Sequence, residues 1–396
     1  MTRVFQHRKF NRNQRGGPRR FIKKQSGHEI MDAIHAMQST KKTAAPIAEA
    51  QSVHVSFNEF SLDSHLETNI AFKGYQQPTP IQDKAIPAIL AGKDVIGIAN
   101  TGTGKTAAFL IPLIHFLSVD RSERIFILAP TRELAIQIYE ELRAFSYGIQ
   151  IQSALCIGGA NIQRQKIALR QSPHVVIGTP GRIKDLIRSR SLDLSQFNRV
   201  VLDEADRMVD IGFIHDIKYF ISLLPKKRQS LFFSATIDGK VREVLQNFVQ
   251  DPVTVSVKQQ NNTDLIKQEF VRLNGFNKID TLHNLLIQPG FDKVLVFGRT
   301  KWGMQKLTDE LMRRGLRVGV IHGNKRQSQR QRVLEQFKKD EIQIMLATDV
   351  ASRGLDIQGV THVINYEMPE SLDDYIHRIG RTGRANQKGT ALTFVE

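Results

Sequence analysis

Short runs rich in Val, Ile and Leu alternate with longer segments of helical spacing, twice over, along most of this 396-residue chain. The first series predicts strands at Asp94–Ala99, Ile125–Ala129, Ile151–Ile157, His174–Gly178, Arg199–Leu202 and Ser230–Phe233. The second predicts strands at Glu269–Leu273, Lys293–Phe297, Arg317–Ile321, Gln343–Ala347, His362–Asn365 and Thr390–Val395. A repeat of this kind builds a parallel sheet covered by helices on both faces. The expected fold class is therefore α/β, with two tandem domains over 56–256 and 265–396. The polar stretch 257–264, which contains Gln259-Gln260-Asn261-Asn262, reads as a linker.

Residues 1–55 lack the alternation. They hold 11 Lys/Arg against 3 Asp/Glu, a net of +8 out of the chain's +17. Phe5, Phe10 and Phe21 stand among the cations. Such a composition buries too little apolar surface to fold, so a disordered basic tail is expected. Arg for phosphates and Phe for base stacking suit single-stranded RNA. No acidic residue precedes Glu29, which also fits an organelle transit peptide, so location is expected to be cytoplasmic or, on that alternative, organellar. Cys156 is the single cysteine; it excludes an intramolecular disulfide and fits a reducing compartment. The best apolar run, Ala107–Leu117, contains Pro112 and His115 and falls well short of the roughly 20 residues a bilayer span needs. The positive balance points to a polyanionic partner, nucleic acid before an anionic membrane.

Two motifs carry chemistry. Thr101-Gly102-Thr103-Gly104-Lys105-Thr106 follows the first predicted strand and opens a helix. Gly102 and Gly104 let backbone N–H groups wrap phosphate oxygens, Lys105 supplies a cation for the β/γ phosphates, and the Thr106 hydroxyl suits Mg²⁺. Arg199–Leu202 then ends in Asp203 and Glu204. Asp203 suits Mg²⁺, directly or through water, and Glu204 is placed to polarise an attacking water. Alone, such a strand end is as readily a surface turn; with a phosphate loop in the same domain it implies a nucleoside triphosphatase.

Asp203-Glu204-Ala205-Asp206 and the phosphate loop together resemble the DEAD-box RNA helicases of helicase superfamily two, and the resemblance runs over nearly all of 57–396. It implies two RecA-like domains binding ATP and Mg²⁺. Gly74–Gln82 resembles the family's Q motif, which makes Gln82 the adenine-reading residue, with Tyr75 or Phe57 stacked on the ring. For either aromatic, core packing is the alternative. Gly354 and Asp356 are expected at the ATP, Asp356 on its ribose. Pro130, Thr131 and Arg132, then Gly159, then Thr179, Gly181 and Arg182 are expected to line an RNA path. Taken singly these segments are ordinary caps or turns, and Glu133 is then an N-terminal-turn carboxylate. Ser234 and Thr236, with Asp206, His377 and Arg378, are expected to couple hydrolysis to strand separation. In the second domain Arg299, Gln327, Arg330 and Thr348 are expected on RNA, and Arg381 and Arg384 as arginine fingers.

This division implies a mechanism. The nucleotide cradle belongs to one domain and the fingers to the other, so neither alone stabilises the transition state. A finger is worth about 10³–10⁵ in rate, roughly 4–7 kcal/mol. RNA touching both halves, single-stranded or a short duplex and through sequence-independent backbone contacts, closes the cleft and turns hydrolysis on. The family unwinds locally and non-processively, and RNP or ribosomal partners and a monomeric state are expected. A DNA translocase with the same engine is the runner-up. A non-enzymatic RNA clamp that binds ATP without turnover is a third possibility, opposed by intact Lys105, Glu204, Arg381 and Arg384.

Overall fold

The computed structural model describes residues 29–34, 54, 56–100, 102–257, 265–352, 357–383 and 387–395. A first sheet contains β1 (Val95–Ile98), β2 (Ile125–Leu128), β3 (Ser153–Cys156), β4 (Val175–Gly178), β5 (Arg199–Leu202), β6 (Gln229–Ser234) and β7 (Val253–Ser256). Its order is β3-β4-β2-β5-β6-β1-β7, with every neighbouring pair parallel. A second contains β8 (Ile266–Arg272), β9 (Val294–Gly298), β10 (Val318–Ile321), β11 (Ile344–Thr348), β12 (His362–Asn365) and β13 (Gly389–Val395). Its order is β10-β11-β9-β12-β13-β8, again all parallel.

Both sheets are buried on two faces, which explains the unbroken apolar runs. Along β2, Ile125 and Ile127 enter one core cluster while Phe126 and Leu128 enter another. Along β9, Val294 and Val296 face one side and Leu295 and Phe297 the other. The strand at Val253–Ser256 was not expected. It lies at the sheet edge with only Val255 buried, so no apolar run marks it. Beyond Val257, the expected linker lies outside the described residues.

Strand order sorts the motifs. The phosphate loop follows β1, the paired carboxylates follow β5, and Ser234 ends β6, and these three strands are neighbours. The segments expected on RNA follow β2, β3 and β4, the other three-strand group. Two groups of motifs thus sit side by side above the carboxyl ends of one sheet, where open α/β sheets bind ligands.

One element departs from the expected tail. Residues 29–34 are helical, and Ile30 and Ile34 pack into a cluster with Ile266, Tyr375, Ile379 and Ala391. Apart from these residues and His54, the tail expected over 1–55 lies outside the described residues. No helix among the described residues is long and apolar enough to cross a membrane.

Candidate functional site

A cleft of about 510 Å³ opens between the two sheets, lined by Tyr75, Gln82, Gly102, Gly104, Lys105, Thr106, Asp203 and Glu204 from the first domain. Lys338, Gln358 and Arg381 of the second domain complete it. The helix Lys105–Val119 begins at Gly104, whose φ of +90° is a left-handed conformation that glycine adopts without strain. A Cβ there would stand 2.4 Å from Gln82 Nε2. Gln82 is fully buried: its Oε1 accepts from the Thr79 N–H at 2.9 Å and its Nε2 donates to the Gly104 carbonyl at 3.1 Å. Thr79 Oγ1 also donates to the Thr103 carbonyl at 2.8 Å, and Thr103 Oγ1 to the Asn100 carbonyl at 2.9 Å. The Gln82 segment and the phosphate loop are therefore one hydrogen-bonded unit. Lys105 Nζ donates to the Ala99 carbonyl at 2.7 Å from a buried position, folded back over its own loop.

The two adjacent carboxylates are driven apart electrostatically. Burial pushes Asp203 up to about 7, against the pull of Lys105. Burial also opposes ionisation of Glu204, but Arg207, Lys105 and Arg381 outweigh it and hold this carboxyl below its ordinary range. Glu204 itself is left-handed, at φ 48° and ψ 51°. Its N–H donates to Asp203 Oδ1 at 3.0 Å, and its carboxylate accepts from Arg207 Nη1. Buried carboxylate oxygen at Asp203 and the hydroxyl of Thr106 in the same cleft are hard donors of the kind Mg²⁺ takes alongside phosphate oxygens.

Of the second-domain wall, Arg381 is 4% exposed and its Nε donates to the His377 carbonyl at 3.2 Å. Thr101, Gly354, Asp356 and Arg384 lie outside the described residues. Phe57 does not reach the cleft. It is 3% exposed and packs edge-on against Phe60 and Tyr75, because it sits in a short turn laid over the core. Of the two aromatics only Tyr75 lines the cleft.

On the other strand group, Arg132 lies across Gly158 and Gly159. A Cβ on Gly159, whose φ is +77°, would fall 2.6 Å from Arg132 Nη1. Thr131 caps its helix by accepting from the Leu134 N–H at 3.3 Å. Pro130 and Thr179 are buried and Gly181 is exposed. Arg182 is turned inward, donating to Gln165 Oε1 at 2.7 Å and the Ala160 carbonyl at 3.2 Å. In the second sheet Thr348 pairs in register with Gly298, which places it beside Arg299. Arg299 is exposed at 56% and its N–H donates to the Glu367 carboxylate.

Gln327 and Arg330, expected on RNA, meet a residue of the first domain. Gln327 Nε2 donates to Glu133 Oε1 at 2.9 Å, and Arg330 Nη2 pairs with Glu133 Oε2 at 2.9 Å. Each thus gives one nitrogen, across the domain boundary, to a carboxylate that sequence alone suggests to be a helix-start residue, while Gln327 Oε1 and Arg330 Nε stay buried without a partner. Of the residues expected to couple hydrolysis to strand separation, Asp206, Ser234, Thr236 and Arg378 bond within their own domains. Asp206 Oδ2 accepts from the Ala235 and Thr236 N–H groups at 3.0 and 2.9 Å and from Thr236 Oγ1 at 3.1 Å, while Ser234 Oγ accepts from the Asp206 N–H at 3.3 Å. Arg378, 2% exposed, forks onto Asp349 at 2.5 and 2.8 Å and also reaches the Glu367 carbonyl at 2.7 Å. Sequence reasoning missed Glu133, Arg207, Lys338 and Gln358. A Glu at the first turn of a helix and an Arg three residues after a Glu were the only available signals.

Family models match in two places: DEAD/DEAH box helicase over residues 79–244 and helicase conserved C-terminal domain over 277–386. The chain is 45% identical over 342 residues to the ATP-dependent RNA helicase CshA of Listeria monocytogenes, covering 86% of this chain and 66% of that protein. The CshA of Geobacillus kaustophilus is also 45% identical, over 341 residues, and here the chain spans 73% of its length. Among solved structures, S. cerevisiae Dbp5 bound to RNA and ADP BeF3 superposes with a TM-score of 0.77 at 32% identity, over 87% of this chain and 90% of that one. A variant of the same yeast protein bound to Nup159, Gle1, IP6 and ADP gives 0.60 at 31% identity, over 85% and 89%.

Proposed function

The chain belongs to the DEAD/DEAH box helicase family, and on that premise we propose that it is an ATP-dependent RNA helicase whose RNA-stimulated ATP hydrolysis drives local strand separation or RNP remodelling. The observation that carries this is the composite cleft: Lys105 and Glu204 of one domain and Arg381 of the other line a single cavity. ATP binds with its phosphates on the loop from Gly102 to Thr106, Tyr75 against the base, and Gln82 reading the adenine edge. Mg²⁺ fits Asp203 and Thr106 and, when bound, neutralises phosphate charge. Glu204 takes the proton of the attacking water. Arg381, with Arg384, stabilises the charge that develops on the γ-phosphate, a contribution available only when the domains are together.

RNA lies over β2, β3 and β4 and across to the second domain, held by the segments at Pro130, Gly159 and Thr179 and by Arg299 and Thr348. The composite cleft, lined from both halves, supports a closed arrangement of the domains over 56–256 and 265–396. We propose that the protein works as a cytoplasmic monomer. ATPase rates without nucleic acid, with RNA and with matched DNA test this function. Stimulation by RNA alone is expected; equal stimulation by DNA identifies a translocase, and no turnover with either identifies a clamp. Duplex length is the second axis: short RNA duplexes separate, and length-independent unwinding of long ones overturns the local mechanism.

A further inference from the structure

The helical residues 29–34 take no part in the cleft, yet two of them are among the most buried of the described residues. Ile30 is 1% and Ile34 0% exposed. They stand four apart and therefore share one helix face. Their partners all belong to the second domain: Ile266 of β8, Ala391 of β13, and Tyr375 and Ile379 of the helix Leu372–Ile379. β8 is the edge strand of that sheet, so this face would otherwise be apolar surface open to water. Residues from 56 onward build the first domain, so the chain passes between the domains twice, once before residue 56 and once after Val257.

The helix that receives these two isoleucines leads into Arg381, one of the three residues of the cleft's second wall. Arg378 lies on it, tied to Asp349, and Arg381 follows two residues after its end. Tyr375 adds a hydrogen bond from its hydroxyl to Gln268 Oε1 of β8 at 3.0 Å. We infer that residues 29–34 form an intramolecular clasp that seats on the second domain and holds the Leu372–Ile379 helix, and with it Arg381, where hydrolysis needs it. The inference rests on the role given to Arg381 above. The clasp touches no substrate; Ile30 and Ile34 are positioning residues.

The test is the double variant Ile30→Asp/Ile34→Asp in the full chain, followed by amide hydrogen exchange and by ATP kinetics with RNA. Exchange in 29–34 and in the Leu372–Ile379 helix is expected to speed up by about tenfold or more, because the clasp no longer protects either. The RNA-stimulated kcat is expected to fall by about fivefold or more with the KM for ATP within about twofold, the pattern of a displaced transition-state group. Ile30→Val/Ile34→Val keeps the apolar face and should match the parent in both readouts. Unchanged exchange in the helix together with unchanged kcat overturns the clasp. Should the Asp variant not fold, a chain lacking residues 1–35 replaces it, and parental kcat in that chain overturns the inference equally. A parent protein without RNA-stimulated turnover would instead count against the proposed function, and the exchange measurement would still decide whether the clasp exists.

Discussion

Glu204 is held in a left-handed backbone conformation that costs a non-glycine residue about 1–3 kcal/mol, and it is held there by its neighbours on either side. Asp203 accepts its N–H and Arg207 grips its carboxylate. On the proposed role of Glu204 as general base, Arg207 therefore aims it as well as keeping it ionised. Arg207→Met should lower kcat by about tenfold or more at unchanged KM for ATP, since general-base catalysis is worth about 10²–10⁴ in rate and depends on geometry first. Arg207→Lys should recover part of the loss; steady-state kinetics decide, and equal kcat in all three proteins would remove Arg207 from the mechanism. Asp203 makes a separate prediction for the nucleotide-free, metal-free protein. Its carboxyl lies near 7 when folded against an ordinary 3.8, so between those values the native state binds more protons than the unfolded one. Stability from this group is full below about pH 4 and is lost as pH rises through 7. Asp203→Asn should thus raise the melting temperature at pH 8 by several degrees and leave it nearly unchanged at pH 4, while abolishing hydrolysis. A stabilisation that is the same at both pH values would contradict the raised pKa.

At the scale of elements, the Gln82 helix start and the phosphate loop form one hydrogen-bonded piece, and Gly104 is where the two meet. Gly104→Ala forces a Cβ to within 2.4 Å of Gln82 Nε2 on a backbone at φ +90°, so it should weaken nucleotide binding by about tenfold or more, the equivalent of one lost charged hydrogen bond. Titration of a fluorescent ATP analogue checks this, and parental affinity would show the two segments to be independent. These same elements were legible from sequence. β2 and β9, buried on both faces, show as unbroken apolar runs, and the loops after β1 and β5 carry Gly, Lys and paired carboxylates that few other uses require. What was not legible depends on partners far away in the chain. β7 buries one residue and leaves no apolar run. Ile30 and Ile34 stand in a short run, residues 29–37, with Ile30, Ile34 and Met37 at helical spacing but too few residues to mark an element alone, and the two isoleucines find their apolar partners only in the second domain. Glu133 and Gln327 are 194 residues apart, and nothing local in either tells that they meet. Phe57 was an even choice between ring stacking and core, and packing against Phe60 and Tyr75 decided it.

For the whole molecule the question is what holds the halves together and what that does to RNA. The first 28 residues carry nine Lys/Arg and no acid. Deleting them while leaving the clasp in place should flatten the dependence of log affinity on log salt, by about 0.7 for each single-strand phosphate that the tail no longer neutralises. An identical slope would make that segment a bystander. The domain contact itself runs through Glu133, which is 5% exposed and takes Gln327 and Arg330 from across the cleft. A bridge that exists only when the domains meet stabilises the closed form alone, so it belongs to the coupling between ATP and RNA and not to the binding of either one to its own domain. By reciprocity the nucleotide must tighten RNA as much as RNA tightens the nucleotide, and such couplings are typically about 1–3 kcal/mol. Glu133→Gln keeps the size of the side chain and a possible bond to Gln327 but leaves Arg330 buried without its counter-charge, a costly change in the closed form only. RNA affinity measured without nucleotide should stay within about twofold of the parent, while the extra tightening seen with a non-hydrolysable ATP analogue should shrink by about tenfold. If nucleotide-free affinity falls equally, Glu133 or its partners act on RNA directly. Arg330→Met separates those cases, because loss of an RNA contact weakens binding with and without nucleotide, whereas loss of the bridge weakens it only with nucleotide.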